Sequence, residues 1–251
     1  MKKLGRIPHD PAMLARLPQA GLHLDAVLPD APPVVDWSRD VAPQAWGMCL
    51  NDAIGDCTCA AVAHAIVAWS AITSSFQAKP YWTPSDADVL ALYRAVSGYV
   101  PGQLETDQGA RCADVLALWQ RQGVECAGTL DKLAAYATID PRNHAHLRAA
   151  VWSFGCVYAG VMLHQAQMTE AVWSDLSSQV RGGHCVLLVG ADDTGPLCVT
   201  WGELRRMTWA WWDAATDEAY ALLSDRWMHS NRAPPGFKLT ALLEDMRAMT
   251  D

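Results

Sequence analysis

Hydrophobic and polar positions along the chain change their rhythm near residue 150. Residues 1–34 are rich in proline and show little periodicity, so they read as an arm lying extended over the surface. Compact structure begins at Val34-Val35-Asp36-Trp37. An apolar, alanine-rich stretch from Cys57 to about Ser70 predicts a helix, with Asp56 as its N-cap. Thr73 to Pro84 reads as a loop. Ser85 and Asp88 have the spacing of a capping box and predict a helix running to about Val96. Gly98 to Gly109 is a loop. Arg111 to Gln122 is amphipathic, with Val115, Leu118 and Trp119 near one side and Gly123 as its terminator. Asp140-Pro141 predicts a cap and first helical residue, and Gly155 ends that helix.

Beyond this point the pattern favours strands. Val157–Leu163, Cys185–Val189 and Leu197–Trp201 are candidates, the last two joined by the turn signal Ala191-Asp192-Asp193-Thr194-Gly195. Met207–Trp212 is a fourth. Asp217–Leu223 and Leu239–Met249 read as short helices. Helices early and strands late predict an α+β fold: an arm (1–34), a mainly helical lobe (35–150) and a mainly β lobe with C-terminal helices (151–251), with a cleft between the lobes.

Composition narrows the functional classes. The 251 residues are 51% hydrophobic and 18% charged, which is globular chemistry rather than disorder. A net charge of −8 argues against nucleic acid or an anionic membrane as partner, because both attract basic surfaces. Twelve tryptophans stand against three phenylalanines. They read either as core packing or as an aromatic surface for a protein partner. Lys2 and Lys3 are followed by polar residues and prolines rather than the apolar core of a secretion signal, and no run approaches the roughly 18 apolar residues of a membrane span. The expectation is a cytoplasmic, reducing setting in which most of the eight cysteines are free thiols. Cys57-Thr58-Cys59 lacks the two-residue spacer of redox and zinc motifs, so neither metal nor cofactor is expected.

The candidate chemistry lies in Gly55-Asp56-Cys57-Thr58-Cys59-Ala60-Ala61 and, far downstream, Gly183-His184-Cys185-Val186. A cysteine opens a helix, and a histidine opens a strand. A thiol reacts as thiolate, and the positive end of a helix favours that form. Histidine is the usual proton acceptor near neutral pH. Cys57 and His184 are therefore the candidate nucleophile and base. Cys59 is the alternative nucleophile, although on a helix it faces away from Cys57. His64, two turns along the same helix, reads as a polar core residue. His164 follows a strand and is a candidate substrate contact. Asp56 reads as a cap, not an acid in the chemistry.

This order of motifs resembles the papain-like cysteine peptidases from about residue 32 to 212. Pro32-Pro33-Val34-Val35-Asp36-Trp37 resembles the mature start of that family. Asn51, six residues before Cys57, stands where the family has its oxyanion-binding glutamine. Asp107-Gln108-Gly109-Ala110 resembles the loop lining the substrate groove. Phe154-Gly155-Cys156-Val157-Tyr158-Ala159 resembles the entry to the second lobe, Gly183–Gly190 the histidine strand, and Thr200-Trp201-Gly202 the family's Ser-Trp-Gly. Gly-Asp-Cys-Thr is closer to divergent bacterial and phage-encoded relatives.

The resemblance implies a thiol hydrolase acting on a peptide or protein. Cys57, His184 and Asn51 would be catalytic, Gly109, Gly183, Trp201 and His164 would contact substrate, and no metal would be needed. Trp201 would cover the histidine. The family's orienting asparagine falls at Val199, which cannot accept a hydrogen bond, and Thr200 is expected on the opposite strand face, so a Cys–His dyad is the default. The missing asparagine leaves open a scaffold kept for binding, and the same Cys–His order also suits a cell-wall peptide amidase. The Pro-rich arm is a candidate to occupy the cleft as an inhibitory segment.

Overall fold

The computed structural model describes residues 2–17, 30–77 and 82–224. Its core is a long helix against a broad, mostly antiparallel sheet. Helix α2 (Cys57–Gln77) is apolar all round, and every residue from Cys57 to Ile72 except the polar Thr58, His64 and Ser70 is a buried hydrophobe. Such a helix belongs inside a protein. By length and composition Cys57–Ser74 would also suit a bilayer, contrary to the expectation that no run comes close, yet 94% of that stretch is wrapped by the protein itself. Abundant alanine hides it from a search for bulky apolar runs. The helix also passes through Thr73, where a loop was expected. The Thr73 hydroxyl bonds back to the Trp69 carbonyl at 2.8 Å and the Ser74 hydroxyl to Ala71, so both polar side chains are satisfied within the helix.

One face of α2 meets α3 (Asp86–Ser97) and α4 (Cys112–Gln122). The first opens on the expected capping box, Ser85 with Asp88, and closes on left-handed Gly98. The second ends at Gly123 as anticipated. A short helix, α1 (Pro11–Leu14), interrupts the N-terminal arm. α5 (His144–Phe154) starts later than Asp140-Pro141 suggested. The Asn143 side chain caps it, while Asp140 and Pro141 form the preceding turn.

The sheet runs β4 (Leu133–Thr138), β10 (Thr216–Ser224), β5 (Val157–His164), β7 (Val180–Ala191), β8 (Pro196–Thr200), β9 (Glu203–Met207) and β6 (Val172–Trp173). Only the β6–β9 pair is parallel among these neighbours. β1 (Val35–Asp36) pairs with the end of β7, and β2 (Val124–Cys126) with β3 (Thr129–Asp131) forms a separate hairpin.

Two assignments made from the sequence are reversed. Asp217–Leu223 is the strand β10, not a helix. It lies between β4 and β5 and is buried from Glu218 onward, so its apolar run carries no alternation to betray a strand. Met207 ends β9, and Trp209–Ala215 is helix α6, capped by the Thr208 hydroxyl, not a fourth strand. The expected helix at Leu239–Met249 lies outside the described residues.

Most of the described tryptophans are core. Trp46, Trp69, Trp119, Trp173, Trp201, Trp211 and Trp212 are buried, and none of the described tryptophans is exposed. Their ring N–H groups tie elements together, as in Trp69 to the Phe154 carbonyl at 2.7 Å and Trp212 to that of Pro141 at 2.8 Å. Trp37, Trp82, Trp152 and Trp209 are half-buried.

Candidate active-site groove

Cys57 is the first residue of α2, where backbone N–H groups lack helical acceptors and the helix presents its positive end. The turn before it is pinned from across the groove. Asp107 accepts from the Gly55 N–H at 2.9 Å, the Tyr93 hydroxyl donates to Asp107 at 2.6 Å, and the Gly109 N–H donates to that hydroxyl at 3.0 Å. Gly55 and Gly109 are thereby fixed as two edges of one rim. β7 packs against α2, and the backbone N–H of Cys185 favours the Cys57 thiolate.

His184 precedes that amide on β7 and is fully buried. Its Nε2 lies 2.6 Å from the Thr200 hydroxyl, its ring stacks on Trp201 at 4.3 Å, and Nδ1 is buried with no hydrogen-bond partner among the described residues. Thr200 thus corrects the expectation that it points away. Leu188 faces Cys198 across the β7–β8 pair, so His184, two pairs of residues before Leu188, shares its face with Cys198 and Thr200 rather than with Val199. Counting from the register, not from the family's asparagine, gives the right residue. Trp201 (φ 50°) and Gly202 (φ 72°) then form the tight turn from Thr200 to Glu203 that sets the indole under the imidazole. Replacing Thr200 by valine should lower any turnover by about tenfold, the worth of one neutral hydrogen bond, and serine should restore it. A shifted acid limb in the valine variant's pH–rate profile would identify the effect as loss of imidazole orientation.

The N-terminal arm fills this groove. The Lys3 N–H donates to the Asn51 carbonyl at 3.0 Å, the Arg6 N–H to that of Gly183 at 3.2 Å, and the Ile7 N–H to that of Ala110 at 3.0 Å, while the Ala110 N–H donates to the Gly5 carbonyl at 2.9 Å. The Trp201 ring N–H reaches the Lys3 carbonyl, and the Lys2 ammonium sits over that indole. The contact is close enough to require glycine. A Cβ on Gly5 would come to 1.8 Å from the Gly55 carbonyl oxygen, one on Gly109 to 1.9 Å from the Gly5 oxygen, and one on Gly183 to 2.3 Å from the Arg6 oxygen. The Gly5 backbone N–H favours the Cys57 thiolate, although burial outweighs it.

Burial sets the charge state of both groups. Burial pushes the Cys57 thiol far above its ordinary range, with a further rise from the neighbouring Cys185, against which the two N–H groups work. Burial, followed by the arm's own Arg6 and Lys2 cations, pulls His184 down to about 3. Closed, the groove holds a neutral thiol and a neutral imidazole. Asp56 is pushed up to about 8, chiefly by burial, while the Asn51 amide opposes the shift. Because the folded pKa lies above the unfolded one, the folded protein holds this proton longer, and stability falls as pH rises from about 4 through 8. Asp56→Asn should flatten that slope, so that its unfolding midpoint gains on the parent by several degrees between pH 5 and pH 8 in thermal melts.

The remaining sequence candidates separate. The Asn51 Nδ2 donates to the Asp56 carboxylate at 3.1 Å and approaches the Ile54 carbonyl at 3.4 Å, so its amide is engaged in holding the turn. His164 has Nδ1 2.7 Å from the Ser178 carbonyl, two residues past Met162, which the Arg6 side chain touches. Cys59 lies on another side of α2, among Val62, Ala63, Val89 and Leu92. His64 is a core residue. Its Nε2 lies 3.2 Å from the Gly47 carbonyl and 3.9 Å from the Cys49 sulfur, and burial lowers it to about 4 while raising Cys49 to about 12. That buried Cys49–His64 contact is a second thiol–imidazole pair, one that no sequence motif singles out.

No family model and no curated protein matches the sequence. Solved structures do. Xylellain, a cysteine protease from Xylella fastidiosa, superposes with a TM-score of 0.65 at 18% identity over 89% of this chain and 97% of its own. Procathepsin B S9 from Trypanosoma congolense gives 0.63 at 10% identity, over 89% and 87%. The ragweed pollen allergen Amb a 11, a cysteine protease in its proform, gives 0.60 at 14%, over 88% and 74%. The architecture is therefore the papain-like α+β fold, with helices and a largely antiparallel sheet arranged as two lobes.

Proposed function

We propose that the protein is a thiol hydrolase of the cysteine-peptidase type, held closed by its own N-terminal segment. The observation that carries this reading is the extended course of residues 3–7 across Cys57. It is bonded through its backbone to both rims, as a peptide substrate would be. Two of the similar structures, the procathepsin and the ragweed protease, are pro-forms, which fits a chain that carries its own cover.

With the arm withdrawn, water reaches the pair and two cations leave the surroundings of His184. The Cys57 thiol gives its proton to the free Nδ1 of His184, while Thr200 holds the other nitrogen. The sulfur attacks an amide carbonyl carbon, and the C–O π pair moves to oxygen. The Cys57 backbone N–H, which has no intrahelical acceptor at the helix start, stabilises that oxyanion. His184 returns the proton to the departing amine as the C–N bond breaks. Water then attacks the thioester, again through His184, and frees the acid and the thiol. Asn51 acts in this scheme by fixing the turn through Asp56 rather than by donating to the oxyanion. Gly109 and Gly183 would frame the substrate backbone and Trp201 would shield the histidine.

The Cys49–His64 contact favours a competing assignment. Against it, His64 lies within α2 rather than at its head, and burial holds that imidazole neutral and the Cys49 thiol protonated. Alkylation of the opened chain followed by peptide mapping decides between them. Loss of the adduct in Cys57→Ala supports Cys57 as the nucleophile. Its persistence there, with loss in Cys49→Ala or Cys59→Ala, transfers the role.

A further inference from the structure

The Arg6 side chain is fully buried and ends in an acidic recess. Its Nη1 lies 2.5 Å from Glu218 Oε1 and 2.8 Å from Asp217 Oδ1, and its Nη2 lies 2.8 Å from Asp217 Oδ2 and 3.4 Å from the Val161 carbonyl. The second oxygen of Glu218 accepts from the Tyr220 hydroxyl at 2.6 Å. Glu218 is 3% exposed, and a carboxylate so placed is rare unless a cation accompanies it. That cation comes from the arm, which lies in the groove as a ligand would.

The recess itself belongs to the sheet. Asp217, Glu218 and Tyr220 are on β10, which is locked between β4 and β5. Its floor needs Gly160 on β5, where a Cβ would come to 2.6 Å from Glu218 and 2.7 Å from Arg6 Nη1. Asp217 and Glu218 also border a cavity of about 240 Å³ that Leu14 and Ala15 of the arm help to wall, so withdrawal of the arm opens it to water. A pocket built this way persists after the arm leaves and still requires positive charge.

We infer that the recess of Asp217, Glu218 and Tyr220 is the specificity pocket of the groove, and that the polypeptides it takes are those presenting an arginine or lysine side chain there. The inference rests on the reading of the arm as a substrate-like occupant. Arg6 is then the arm's imitation of the preferred substrate side chain. The carboxylates of Glu218 and Asp217 supply a two-sided, charge-assisted grip that a neutral side chain cannot use.

The test uses the full-length Gly5→Ala chain, whose added Cβ is incompatible with the closed arm. Two peptides with the sequence of residues 2–10, one carrying arginine and the other citrulline at the Arg6 position, are titrated against it by fluorescence anisotropy. The expected result is at least about tenfold tighter binding of the arginine peptide, with the difference falling below about threefold in a second chain that also carries Glu218→Gln. Asp217→Asn, at a half-exposed side chain, serves the same purpose should the buried substitution impair folding. Equal affinity of the two peptides, or no binding of the arginine peptide, overturns the pocket. Hydrolysis is scored separately. Arginine-selective binding without cleavage keeps the pocket and sinks the hydrolase reading, whereas cleavage indifferent to basic residues does the reverse.

Discussion

A chain beginning at Pro32 is expected to be alkylated at Cys57 by iodoacetamide at pH 7 at least about a hundredfold faster than the full-length protein. The factor follows from charge state. A free thiol with a pKa of about 8.5 is a few per cent thiolate at pH 7, and each unit of upward shift removes a factor of ten. The closed groove shifts the thiol in that direction by burial, and the Gly5 backbone packs against Gly55, two residues before the sulfur. Removing the arm hydrates the thiol, takes Arg6 and Lys2 away from His184, and exposes the positive end of α2. All three changes favour thiolate. Gly5→Ala should act in the same direction with the chain intact, because only the contact with Gly55 is disturbed. Equal alkylation rates in all three proteins would mean that the arm does not control the site.

The second large effect concerns identity rather than access. In the opened chain, Cys57→Ala should abolish peptide hydrolysis, a loss of about 10⁴-fold or more, as removal of a covalent nucleophile requires. His184→Ala should cost nearly as much, because base and nucleophile act as one unit and their losses do not add. Cys49→Ala and Cys59→Ala should retain turnover, since neither thiol stands at the head of α2. The comparison is made on substrates that carry a basic residue and on variants shown by circular dichroism to be folded.

These parts were unequally legible in the sequence. The frame could be read where local chemistry decides it: the capping box at Ser85, the terminators Gly98 and Gly123, and the turn before Pro196 all act within a few residues. β10 could not, because a strand buried on both faces looks like a helix until its neighbours are known. Nor could Thr200. Its role depends on the pairing of β7 with β8, and alignment to a family pattern pointed one residue away. The acidic recess was hidden for the same reason, since Arg6 and Glu218 meet only when the whole chain is folded. Glycines were the best long-range signal. Gly109 and Gly183 stand out by their motifs, and each proves to be a place where the arm's backbone passes too closely for a side chain.

Catalysis in this scheme requires that Cys57 and His184 form a thiolate–imidazolium pair once the arm is out. The pH dependence of Cys57 alkylation in the opened chain, with and without His184→Ala, decides whether they do. The expected thiol titrates well below the free value of about 8.5, and returns towards that value when the imidazole is removed. A single titration at or above the free value, indifferent to His184, would rule the pair out and leave the groove as a binding surface.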